Sequence, residues 1–68
     1  MKNRMKELRK SHNISQEKMA QMLGVSRQTV ISIERERYNP SLPLAMYIAQ
    51  CFEVKLEEVF TLEEKDLK

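Results

Sequence analysis

Four side chains near the middle of this sequence are suited to reading a hydrogen-bonding edge on another molecule: Arg27, Gln28, Ser32 and Arg35. At the helical period of about 3.6 residues they share an exposed stripe, while Val30 and Ile33 turn inward. A guanidinium can place two hydrogen bonds on O6 and N7 of guanine. A carboxamide can do the same on N6 and N7 of adenine. Ile31 borders the stripe; it either touches a thymine methyl or is simply tolerated at the surface. A merely solvated face would more often carry Glu and Lys. Bond-making chemistry has no comparable set of residues. His12 and Cys51 are each the sole residue of their type, so no metal-ligand cluster forms. A phosphate-binding glycine loop and a nucleophile–base–acid set are also missing. The chain is expected to be no enzyme and to need no cofactor.

A rigid support must present that stripe, and Ile14 to Ile33 reads as one. Two short amphipathic helices meet at Gly24, the only glycine, which supplies a left-handed turn that a β-carbon disfavours. Ala20 is small enough to let the second helix cross closely. Ser15 and Ser26 are the expected N-caps. Each is bracketed by a hydrophobic pair, Ile14 with Met19 and Val25 with Val30. This is the anatomy of a helix-turn-helix, whose second helix, about residues 27–35, can lie in the DNA major groove.

Over residues 4–60 the chain resembles the lambda-repressor/Cro-like helix-turn-helix family, also called XRE, and in particular its small members without a second domain. The resemblance rests on MKELRKSHNISQEKMAQMLGVSRQTVISIE and the following YNPSL. It implies an all-α, five-helix domain, with the helix-turn-helix at helices 2 and 3, that binds operator DNA as a homodimer. By position it assigns base reading to Arg27, Gln28 and Ser32, with Ile31 beside them. Gln16 falls where the family contacts a phosphate. Ser26, Thr29, Arg35 and Arg37 complete the expected phosphate contacts. Arg9 and Glu34 match a partly buried salt bridge that ties helix 1 to helix 3. Two positions depart from the pattern. Glu36 replaces the usual glycine after the recognition helix, which puts the left-handed exit turn in question. Lys55 stands where Ser or Thr normally caps helix 5.

The rest of the chain fits a small regulator. Its 68 residues make one domain, with a core at about 4–60 and a charged tail, 61–68, expected to fray. Residues 1–38 hold nine Lys and Arg against four Asp and Glu, a balance of +5; residues 39–68 hold three against six, a balance of −3. The basic half carries the helix-turn-helix, as a phosphate-facing surface requires. Helix 1 is expected over about Asn3–Ser11, with Met5 and Leu8 inward and Asn13 in the left-handed turn that follows. Ser41 caps helix 4, which presents Leu44, Ala45, Ile48, Ala49 and Phe52 to the core. Val54 and Val59 bracket a short helix 5. Phe60 to Leu62 can form a short strand.

One recognition helix reads only a few base pairs, so two copies on successive major grooves, about 34 Å apart, are expected. Leu56, Phe60 and Leu62 are the expected dimer surface, on the side away from the DNA. The lone cysteine forms no internal disulfide, and neither a long apolar run nor a secretory pattern appears. A cytoplasmic chain without membrane contact is therefore expected. The expected function is sequence-specific binding to double-stranded DNA as a transcriptional regulator, a repressor on a palindromic operator. The alternative is a module that uses the same fold to bind a regulatory protein partner.

Overall fold

Ser15, Ser26 and Ser41 each sit in extended backbone immediately before a helix. Each hydroxyl accepts a backbone N–H three residues on: from Lys18 at 3.0 Å, Thr29 at 3.1 Å and Leu44 at 3.4 Å. These caps open α2 (Gln16–Leu23), α3 (Arg27–Glu34) and α4 (Leu42–Cys51). Pro43 fits the first turn of α4, where its missing N–H leaves nothing unpaired. In the computed structural model, which describes residues 1–67, α1 (Met5–Ser11) precedes them and α5 (Leu56–Val59) follows. The fold is all-α with five helices, and α2 and α3 are the helix-turn-helix.

The four longer helices stop in the same way. Asn13, Gly24, Glu36 and Glu53 all have positive φ, between 54° and 70°. At each stop the next N–H reaches back to the carbonyl five residues earlier: Ile14 to Arg9, Val25 to Ala20, Arg37 to Ser32 and Val54 to Ala49. This paired closure satisfies carbonyls that the helix end would otherwise leave bare. Glu36 thus takes the left-handed exit turn although it is not glycine. Lys55 has no oxygen with which to cap α5. Glu58 makes half a capping box instead, its carboxylate accepting the Lys55 backbone N–H at 3.4 Å.

Met5, Met19, Val30, Ile33, Ile48 and Val59 are sealed from water and form the centre of the core, with Ala20, Ala45, Ala49 and Phe52 around them. Leu8, Leu44 and Val54 are half-buried at its edge.

Three sequence expectations change. Helix 1 does not begin at Asn3, because Lys2–Asn3 form β1, which pairs antiparallel with β2 (Phe60–Thr61). Asn3 then accepts the Met5 N–H at 3.1 Å and donates to the carbonyl of Ile33 at 2.8 Å, joining the start of α1 to the end of α3. The tail is not frayed through Leu67: after β2 it forms a 3-10 turn, Glu64–Leu67. Asp66 accepts the Glu63 N–H at 2.8 Å and lies 3.0 Å from the amino group of Met1. Phe60 is not a surface residue; at 8% exposure its ring belongs to the core, so it has no face left for a partner.

Candidate nucleic-acid interface

The ends of α3 are fixed before any partner arrives. Ser26 holds its start, the Glu36 turn closes its end, and Val30 and Ile33 anchor its inner face. What remains outside is a ridge with a hollow on each flank. One hollow, about 260 Å3, lies toward α1 and is lined by Arg27, Ile31 and Arg35 together with Lys6 and Gln16, with Glu34 at its base. The other, about 400 Å3, sets Gln28, Thr29 and Ser32 opposite Val25, Tyr38 and Leu44. The helix period therefore divides the stripe. Arg27, Ile31 and Arg35 follow one another at four-residue steps along one side, and Gln28 and Ser32 do so along the other.

A buried ion pair braces the first side. Nε of Arg9 donates to Oε2 of Glu34 at 2.7 Å and a terminal nitrogen donates to Oε1 at 3.3 Å, with the side chains 8% and 3% exposed. Arg9 also donates to the carbonyl of Ile14 at 2.8 Å, which ties down the α1–α2 turn. Gln16 bridges from this pair to the surface. Its Nε2 donates to Glu34 at 3.2 Å, and its Oε1 faces the guanidinium of Arg27 at 3.4 Å. The two charged neighbours set the orientation of the Gln16 amide and leave one of its N–H groups without a partner among the described residues.

The two hydroxyls at the start of α3 are partly committed. Ser26 Oγ already accepts the Thr29 N–H and lies 2.9 Å from Thr29 Oγ1, so one hydroxyl donates to the other. A single O–H is left for an external acceptor. Arg35 and Arg37 are exposed, and Arg37 stands on the loop that leads to α4. Leu62 is 63% exposed and Leu56 half-buried, whereas Phe60 is enclosed. A second apolar surface lies along α4, where Leu42, Met46 and Tyr47 are 63%, 56% and 46% exposed. They line a groove of about 690 Å3 that reaches Val54 and Leu56. Among the described residues no helix is long and apolar enough to cross a membrane.

Sequence reasoning missed Lys6 and Tyr38, which complete the two hollows. The inward pattern of α1 shows which residues enter the core, but not which solvent-facing one looks along α3. Tyr38 is placed by the Glu36 turn and by the rigid Asn39-Pro40 step, and both act through backbone direction.

The helix-turn-helix family profile matches residues 5–59. An uncharacterized HTH-type transcriptional regulator of Methanocaldococcus jannaschii is 52% identical over 66 residues, covering 97% of this chain and 100% of that protein. Another, from Bacillus subtilis, is likewise 52% identical over 66 residues with the same coverage. Among solved structures, the restriction-modification controller protein C.AhdI from Aeromonas hydrophila superposes with a TM-score of 0.75 at 33% identity, over 84% of this chain and 86% of that one. A capped recognition ridge, a left-handed corner at Gly24, a buried Arg9–Glu34 brace and these relatives lead to one assignment: the chain belongs to the helix-turn-helix family, in its lambda-repressor-like, XRE-type branch of transcriptional regulators.

Proposed function

We propose that this protein regulates transcription by sequence-specific binding to double-stranded DNA, as a repressor that occupies a palindromic operator in the form of a homodimer. The observation that carries the reading is the α3 ridge, held at both ends and bearing base-competent side chains between two hollows. Arg27, Gln28 and Ser32 read base edges, and Ile31 meets a thymine methyl. Gln16, the remaining hydroxyl of the Ser26–Thr29 pair, Arg35 and Arg37 contact phosphates. The relatives named as transcriptional regulators support the same reading. This activity is binding, not catalysis, and it belongs in the cytoplasm with the DNA.

Two copies joined through the apolar α4 groove, with Leu56 at its edge, would present two recognition helices to one face of the duplex. Leu62, exposed beyond β2, remains the outer candidate of that surface. The first test is binding to a random-sequence duplex across a salt series. A DNA reader shows affinity that falls steeply with ionic strength. A protein-binding module shows almost none, and that result would overturn the proposal. Selection from a random DNA pool then gives the operator and its symmetry.

A further inference from the structure

Three cations converge on the hollow between α1 and α3, and none of them has a carboxylate of its own. Lys6 and Arg35 make no side-chain hydrogen bond or ion pair among the described residues, and Arg27 touches only Gln16, at 3.4 Å. Of the other cations, Arg4, Arg9 and Lys65 meet Glu7, Glu34 and Glu63, while Lys2, Lys10, Lys18, Arg37 and Lys55 make no ion pair among the described residues; what sets this hollow apart is that three cations line it together. A carboxylate does lie at the base of the hollow, but it adds little repulsion. Glu34 is bidentate to Arg9, accepts from Gln16 and is almost fully enclosed, so its charge is matched within the protein. The hollow on the other flank has no charged lining residue. The two walls that would face the two strands of a major groove are therefore unlike.

We propose that the hollow between α1 and α3 seats a phosphodiester of one DNA strand, and that Lys6 is its outer ligand, contributed by a helix outside the helix-turn-helix. The inference rests on the DNA-binding reading and adds to it a residue and a strand. A compact ammonium on a long stem suits a phosphate as a point charge. The backbone beneath Lys6 is held against α3 by the Arg9–Glu34 pair and by the Asn3 bond to Ile33. A phosphate held there fixes the register in which Arg27 meets the bases. The salt-dependent grip of this hollow falls on one strand, while hydroxyls and apolar surface face the other.

The test compares wild type with Lys6→Gln, Lys6→Arg and Lys55→Gln on a random-sequence duplex over a salt series. Lys6→Gln should weaken binding alike for all sequences and make the salt slope shallower by about 0.9, the share of one phosphate contact. Lys6→Arg should keep the wild-type slope. Lys55→Gln removes the same charge at the start of α5 and should also leave the slope unchanged. The Lys6 side chain makes no polar contact among the described residues, so the melting temperature of Lys6→Gln should match wild type. A wild-type slope in Lys6→Gln overturns this inference alone. An equal loss in Lys55→Gln also overturns it, because net charge would then explain the effect. Salt-independent or absent binding by wild type overturns both this inference and the DNA-binding reading.

Discussion

Arg27 and Gln28 are neighbours in sequence yet face different hollows, so shortening each should disturb different base pairs. Arg27→Ala and Gln28→Ala should each weaken the selected operator by about 1–3 kcal/mol and relax preference at their own positions. Arg37→Ala should instead weaken all sequences and flatten the salt slope. Selection from random DNA checks both, and an unchanged preference in Gln28→Ala would refute the groove assignment. Stability has its own decisive pair. Arg9 and Glu34 are enclosed, doubly hydrogen-bonded and linked to Ile14 and Gln16. Arg9→Ala or Glu34→Ala strands a buried charge, with an expected loss of about 3–5 kcal/mol. The double variant should lose less than the two single losses combined, as read by urea unfolding. Zero coupling in that cycle would mean the pair does not act as a unit.

Helix starts and helix stops obey different kinds of rule, which decides how much of each the sequence reveals. Ser15, Ser26 and Ser41 are legible because the cap and the N–H it binds lie three residues apart. Gly24 is legible because glycine favours the turn it makes. Glu36 and Glu53 carry no such preference, yet both take the left-handed backbone that lets the next N–H close the helix on Ser32 and Ala49. Replacing either with glycine should relieve that strain and raise stability by about 1 kcal/mol, visible as a higher urea midpoint at constant slope. Gly24→Ala should lower it, although a β-carbon there meets nothing within 4 Å, because the penalty lies in the backbone alone. The pairing of β1 with β2 was open in the sequence, since two-residue strands show no alternation and their partners lie at opposite ends of the chain. The division of the recognition stripe follows from helix geometry, but the hollows on its flanks depend on Lys6 and Tyr38, which no local pattern marks.

In the molecule as a whole, one uncovered apolar surface lies along α4. A Leu42→Asp, Met46→Asp double variant that stays folded by circular dichroism should sediment as a monomer and lose operator affinity. If it sediments like wild type, the groove is not the interface. The chain ends supply a second whole-molecule feature. The Glu63 N–H, and then the amino group of Met1, hold the Asp66 carboxyl below the usual carboxylate range. A carboxyl with a depressed folded-state pKa stabilises the fold while ionised. That contribution is complete above its ordinary value and is lost as the pH falls through the depressed one. The protection factor of the Glu63 amide, which is its exchange rate corrected for the intrinsic rate at each pH, should therefore be high near neutrality and fall in acid. Asp66→Asn should abolish that pH dependence, and a dependence that survives the substitution would assign it to another group.

The β1–β2 pairing also determines how the molecule responds to mechanical load. Lys2 lies opposite Thr61 and Asn3 opposite Phe60, so a pull on the chain ends, once the Met1–Asp66 contact and the Glu64–Leu67 turn have given way, reaches Lys2 and Thr61 first. Antiparallel strands loaded in this direction part rung by rung, without sharing the force. Tethered at both ends in an optical trap, the protein should open at low force, with the ribbon yielding before the helices. Asn3 would be released at that step, and with it the bond that holds the carbonyl of Ile33 near the end of the recognition helix. Tension along the chain would therefore reach the reading surface before the core gives way.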